Sequence, residues 1–313
     1  MHKIINILVF LFLLSIPCHG LIALTENQVP IQPCKINRTD QRKSKISLCA
    51  LFNNEAEYLK EWIEYHRLIG ISHFYLYNNM SSDGFWSVLK PYVEQGVVEL
   101  FDVPFDTSVI RDVAKTHNMV QVACYNHALK LSKKYTTWMA LIDSDEYICP
   151  VNKDLVATLN KYQYASGLVV FWQLYGTSNV WSLNPGELLT EKLTMKFPQE
   201  YGENYLYKSI VNPKYATCHG PHTCDYPKGH FAVYPNHVKF HRGPKFNPLP
   251  VDVIRINHYT FRTESFYQNV KKPRRAIWGY NPSPEEEKTK MDLSNSTYDP
   301  IMLKFAPELH KRM

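Results

Sequence analysis

In Trp138-Met-Ala-Leu-Ile-Asp-Ser-Asp-Glu-Tyr147 a short apolar run, Thr137 to Ile142, passes straight into two aspartates spaced i, i+2. The run has the length and composition of a buried strand. In an extended segment that spacing puts both carboxylates on one side, where one holds a metal and the other reaches a sugar hydroxyl or a metal-bound water. An isolated Asp-x-Asp equally suits turn or cap hydrogen bonds, so the flanking pattern carries the argument.

Upstream, Ile46 to Phe52 reads as another buried strand. A helix follows, with Leu59, Trp62, Ile63 and His66 on one face and Gly70 at its end. Strands at His73 to Tyr77 and Val97 to Phe101, and helices at Gly84 to Glu94 and Thr116 to Lys134, continue the alternation. Four strands alternating with helices predict an α/β fold with a mostly parallel central sheet. Ligands of such sheets bind beyond the carboxyl ends of the strands. Those ends are all acidic or amide-bearing: Asn53-Asn54-Glu55, Asn78-Asn79 through Ser81-Ser82-Asp83, Asp102 with Asp106, and Asp143 to Glu146. Carboxylates gathered there repel one another unless a divalent cation neutralises them, and all-oxygen ligation suits Mg²⁺ or Mn²⁺.

Past residue 165 the pattern changes. Gly167 to Trp172 still reads as a strand, but Leu188 to Phe197, Tyr205 to Val211, His237 to His241 and Val253 to His258 come with loops and few helices. This half is expected to be antiparallel or irregular, and residues 281–313 to form a peripheral tail.

The chain has 313 residues, 45% hydrophobic and 20% charged, with only 12 Gly, which excludes a disordered or fibrous chain. A net charge of +6 implies no nucleic-acid arm. Twenty-one Tyr and six Trp supply rings of the kind that stack on sugars, among them Trp172, Tyr175 and Trp181, though interior packing accounts for most. At the N-terminus His2 and Lys3 precede an apolar run, Ile4 to Ile16, and then Pro17-Cys-His-Gly20. This reads as a signal peptide over residues 1–20, with an uncleaved anchor over 4–22 as the alternative. A stem over 21–45 and a domain over 46–280 follow, in a secretory or exported compartment. Sequons stand at Asn37, Asn79 and Asn295.

The stretch from Leu48 to Asn79 (LCALFNNEAEYLKEWIEYHRLIGISHFYLYNN) resembles glycosyltransferase family 92, once called DUF23, and the related family-2-like transferases. So do Ser82-Asp83, Gln121 to His127, Asp143 to Tyr147, Lys208 to Pro213, His222 and Asn257-His-Tyr259. The resemblance implies a GT-A fold, a Rossmann-like αβα sandwich. It also implies a UDP-sugar donor, typically UDP-galactose, a glycan acceptor, Mn²⁺ (or Mg²⁺) dependence and inversion at the anomeric carbon. Carried over by residue, Asp145 would be the direct metal ligand, Asp143 a ligand nearer the ribose, and His258 the third ligand. Asn54, Glu55 and Asp83 would hold the nucleoside, Lys208, Arg262 and Lys271 would meet the diphosphate, and His222 would face the donor. Structural alternatives stand beside these roles: Glu55 opening a helix, Asp83 an Asx-turn residue, His258 a satisfied core imidazole, and Lys271 to Arg275 a solvated face.

Inversion requires one base near the acceptor. Glu187, which follows Pro-Gly, leads the candidates, then Glu191 and Asp225. Cys218-His-Gly-Pro-His-Thr-Cys224 reads either as a zinc cluster or, in an exported chain, as a short disulfide-closed loop, which is preferred. A metal-dependent hydrolase using the same carboxylates and a catalytically silent sugar-binding protein are the competing functional readings.

Overall fold

The computed structural model describes residues 29–35, 44–105, 113–241 and 246–313. The leader, most of the stem, the sequon at Asn37 and Asp106 lie outside the described residues. The central sheet has ten strands: β1 (Gln32–Lys35), β2 (Ser44–Phe52), β3 (His73–Asn78), β4 (Val98–Asp102), β5 (Thr136–Leu141), β6 (Glu146–Pro150), β7 (Gly167–Leu174), β8 (Tyr207–Val211), β9 (Ala232–Val233) and β10 (Ile254–His258). Their order is β1-β4-β3-β2-β5-β8-β7-β10-β6, with β9 beside β7.

Strands β4, β3, β2 and β5 run parallel, as the alternation requires. The period of two sorts their side chains into separate cores. From β2, Ile46, Leu48, Ala50 and Phe52 pack on one face with α1 (Ala56–Leu68) and α2 (Phe85–Glu94). Cys49 and Leu51 pack on the other with Val120, Cys124 and Leu129 of α3 (Val113–Ser132). Helices thus cover both faces of the sheet. Helix α1 ends before Gly70, whose φ of +111° suits glycine and where an added Cβ would meet Val156 at 3.0 Å.

The second half is mixed. β8 runs antiparallel between β5 and β7, and β10 is parallel to β7 but antiparallel to β6. Helix α1 is tied to this half through His66, which is fully buried. Its Nδ1 lies 2.8 Å from the Trp62 carbonyl, and its Nε2 accepts the Ile148 N–H of β6 at 3.3 Å. Among the described residues no helix is long and apolar enough to cross a membrane.

Four expectations are corrected. The Asp143–Asp145 segment is a turn rather than extended, because the chain reverses at once into β6. Leu188 to Phe197 is a strand only at Met195–Lys196, which pairs antiparallel with Thr297–Tyr298; Leu189–Lys192 forms a helical turn, since the buried carboxylate of Glu61 on α1 accepts the N–H groups of Leu189 (2.7 Å) and Thr190 (3.0 Å). His237 to His241 contributes one isolated bridge, Val233 to Lys239, with His237 at φ +67° breaking any strand. Residues 281–313 are no loose tail. Met302, Phe305 and Leu309 are buried in the main core, and Asp299 pairs with the buried Arg255 at 2.7 Å. Within the stretch read as stem, β1 pairs antiparallel with β4 at the sheet edge.

Candidate active site

Asp143 and Asp145 sit just beyond the carboxyl end of β5, in a turn closed by the Glu146 N–H donating to the Asp143 carbonyl at 3.2 Å. Two further bonds lock it: the Tyr259 N–H donates to the Asp145 carbonyl at 2.9 Å, and Arg262 Nη2 donates to the Ser144 carbonyl at 3.4 Å. With its main chain held by three hydrogen bonds, two of them from the segment after β10, the turn presents its carboxylates in fixed directions.

Those directions differ. Asp143 Oδ1 takes the buried Lys208 ammonium at 2.8 Å and the Gln121 amide of α3. Burial would raise its pKa, but Lys208 holds it below the usual carboxylate range. Asp145 faces the other way: Oδ1 lies 3.4 Å from His258 Nε2 and Oδ2 3.4 Å from Lys271 Nζ. Against the same burial, His258 and Lys271 keep Asp145 well below the carboxylate range, so it stays ionised. Glu146 is fully buried with the opposite balance, its pKa pushed up by burial and by the nearby Asp143. Lys208 lies 4.0 Å from it, and burial, which favours the neutral amine, is overcome by Asp143 and Glu146, so Lys208 stays charged. The wall of the site is Trp172, edge-on to His258 with ring centres 4.4 Å apart and to His222 at 5.3 Å. Burial, then Lys208, lowers the pKa of His222, whose Nδ1 lies 2.8 Å from the Tyr207 carbonyl.

The structure therefore brings Asp143, Asp145, Lys208, His258 and Lys271 together, with His222 edge-on to Trp172. The other expected residues do different work. Arg262 is 1% exposed, salt-bridged to Glu55 and lying over the Tyr58 ring at 4.1 Å. It braces the turn from below. Asp83 accepts the Ala56 N–H (2.8 Å) and the Phe85 N–H (3.2 Å), fastening the first residues of α1 and α2 with its two oxygens. Asn54, at φ +55°, accepts the N–H groups of Ser82 (2.8 Å) and Asp83 (3.3 Å). Both are connectors between strand ends.

Glu187 and Glu191 lie apart from this cluster. Glu187 pairs with Lys192 at 2.7 Å and accepts from Asn184, contacts that lower its pKa to about 2, and Glu191 pairs with His310 at 2.9 Å. Neither touches a residue of the aspartate turn in any of these bonds. The exposed Asp225 pairs with His219. Cys218 and Cys224 form a disulfide, so the zinc reading of that loop falls. The sequons at Asn79 and Asn295 also have structural duties: Asn79 Nδ2 donates to the carbonyls of Val103 and Phe105, and Asn295 Oδ1 accepts the Ser178 N–H.

Sequence reasoning overlooked Gln121 and Glu146 as site residues. Gln121 and Tyr125, spaced i, i+4 and linked side chain to side chain at 2.9 Å, form a polar pair on an otherwise apolar helix face, which is a legible signal. Glu146 offered only its place next to the aspartates.

A divalent cation can be tested against these groups. Among the described residues no three His, Cys, Asp or Glu side chains converge as a complete ligand set. Asp145 and His258 do approach each other, one an ionised carboxylate and the other an imidazole, a mixed donor pair acceptable to Mn²⁺. Two protein ligands fit an ion whose remaining positions are filled by substrate phosphates and water.

The glycosyltransferase family 92 profile matches residues 42–305. A family 92 protein of Oryza sativa subsp. japonica is 28% identical over 252 residues, covering 78% of this chain, and one of Arabidopsis thaliana is 23% identical over 248 residues, covering 73%. The chain spans 38% of the length of each. Among solved structures, S. aureus TarS overlaps 80% of this chain and 70% of its own at 12% identity and a TM-score of 0.36, an overlap too slight to argue from. The profile spans the α/β body from β2 through the buried Phe305, and the chain belongs to glycosyltransferase family 92.

Proposed function

We propose that this chain transfers a hexose, galactose first among the candidates, from its UDP carrier to a hydroxyl of a glycan acceptor, with inversion at the anomeric carbon. The observation that carries the reading is the aspartate turn beyond β5, where two carboxylates held ionised face two lysines and an imidazole. A cation between Asp145 and His258, Mn²⁺ before Mg²⁺, would offset the negative charge that develops on the departing UDP. Lys271, at the rim with 18% of its side chain exposed, is the ammonium that would meet a phosphate oxygen. Lys208 is 1% exposed and acts from within, keeping Asp143 ionised and aimed. Asp143 leaves a third of its side chain exposed, enough to accept a ribose hydroxyl.

The Cys218–Cys224 disulfide supports a secretory or exported compartment, in keeping with a leader or a membrane anchor at residues 1–20. The packing of β1 and of Met302 to Leu309 supports a catalytic domain wider than 46–280 at both ends. The test incubates the full chain with a panel of UDP-hexoses, oligosaccharide acceptors and Mn²⁺, and identifies the product by mass spectrometry, with its anomeric configuration by NMR. A β-linked glycoside with stoichiometric UDP is expected. UDP release with free sugar in place of a glycoside would mean a hydrolase, and no Mn²⁺-dependent binding of UDP would mean a silent scaffold.

A further inference from the structure

Among the buried polar atoms beside the aspartate turn that lack a hydrogen-bond partner among the described residues are Glu146 Oε1 and His258 Nδ1, and these two face each other at 4.0 Å. Their residues sit directly opposite in the antiparallel register of β6 and β10. The separation is about an ångström beyond a hydrogen bond, within reach of a small ring rotation. The same ring points Nε2 at Asp145 Oδ1, so His258 stands between two carboxylates. The other oxygen of Glu146, Oε2, accepts the Asp143 N–H at 2.9 Å. A buried carboxyl oxygen without a partner is costly, and Nδ1 of His258, itself without a partner among the described residues, faces it at 4.0 Å.

We propose that Glu146 is the positioning residue of the cation site. Oε1 accepts a hydrogen bond from the Nδ1–H of His258, which leaves the Nε2 lone pair directed at the space beside Asp145, while Oε2 holds the turn that carries both aspartates. Imidazole ligands are commonly oriented by a carboxylate on the far nitrogen. The inference rests on Asp145 and His258 as the ligand pair proposed above.

Glu146→Gln keeps the volume but offers one acceptor oxygen to two N–H groups. With that oxygen on the Asp143 N–H, the amide NH₂ faces Nδ1, and the ring proton moves to Nε2, the nitrogen a cation needs. Two readouts follow. The ¹⁵N NMR signals of the His258 ring should report the Nδ1–H tautomer in the parent protein and Nε2–H in Glu146→Gln. The Kd for Mn²⁺ in the presence of UDP, read from the free-ion EPR signal, should rise about 10- to 100-fold. In a His258→Ala background the same substitution should change that Kd less than about twofold. An Nε2–H tautomer in the parent protein, or an equal loss of Mn²⁺ affinity in both backgrounds, would overturn the proposal. If the parent protein binds no Mn²⁺, the cation reading fails on its own, and the tautomer still decides the Glu146 contact. The parent tautomer also serves alone should Glu146→Gln not fold.

Discussion

The two halves of the sheet use their strand ends differently. Beyond β2 and β3, in the parallel half, Asn54, Asn79 and Asp83 spend their side chains on main-chain groups: Asp83 fastens two helices, Asn54 the loop at Ser82, and Asn79 the chain after β4. In the mixed half, Lys208 of β8, His258 of β10 and Lys271 project charge or a ligand nitrogen toward Asp143 and Asp145. The parallel half is thus a frame that delivers two carboxylates at the end of its border strand β5, and the mixed half supplies what neutralises them. The difference follows from topology. Parallel strands all end at the same edge, where their loops must be tied to each other, whereas β8 runs antiparallel and brings Lys208 to that edge at its start.

If this division holds, the largest losses come from where the halves meet. Asp145→Asn removes the charge that His258 and Lys271 face without changing volume. Transfer should fall on the order of 10³-fold, about 4 kcal/mol of transition-state stabilisation, with an unchanged melting temperature. Full activity in Mn²⁺ would remove Asp145 from the site. Lys208→Met should cost both ways, because it leaves the carboxylate of Asp143 facing the buried Glu146 without its cation. Breaking such a pair destabilises by about 3 kcal/mol, and the Kd for UDP should rise at least about tenfold. A melting temperature within a degree of the parent would show that Lys208 does not hold the turn.

His66 joins the halves, and its effect is read in pH. Burial lowers its pKa to about 3, while in the unfolded chain it titrates near 6.5. Between those values the unfolded chain binds the extra proton, so the contribution is complete above pH 6.5 and is lost as pH falls toward 3. The loss between pH 7 and pH 5 is about 2 kcal/mol. The acid slope of the melting temperature should flatten over that window in His66→Leu, and an unchanged slope would mean that other groups carry it. Asp83→Ala, wholly within the frame, should cost about 1 kcal/mol by freeing two helix-start N–H groups, with the donor KM within about twofold. A tenfold rise in donor KM at parental stability would instead make Asp83 a nucleoside contact.

This division also explains what the amino-acid pattern could show. The parallel half was legible because each of its strands is an apolar run followed by an amphipathic helix, signals set by local periodicity. Asp143 and Asp145 were legible for the same reason, as polar residues where a strand ends. The mixed half hid more. Whether Leu189–Lys192 becomes part of a strand or a helical turn depends on Glu61, more than a hundred positions away in the chain, which caps it. Lys208 carries no local sign that it faces the aspartates, since it opens an antiparallel strand placed by long-range pairing; His258, like Asp143, ends a strand, but nothing local sets β10 beside the aspartate turn, and the family resemblance pointed to both. The family resemblance puts Arg262 at the diphosphate, yet two rings and Glu55 bury it.

The smallest expected effect is at Glu187, and it tests the comparison from outside the site. A general base must reach the acceptor proton and have a pKa near the working pH. Glu187 is bonded to Lys192 and Asn184, which drop its pKa to about 2, so its carboxylate is a weak base, and none of these bonds joins it to the aspartate turn. The Pro-Gly turn before it projects the side chain as the sequence suggests, but Oε2 folds back onto Asn184 within the same loop and Oε1 pairs with Lys192. Glu187→Gln should therefore leave kcat within about twofold, as other exposed substitutions do. A fall of a hundredfold or more in kcat, with the donor KM unchanged, would put the base in this loop and require it to close over the mixed half when acceptor binds.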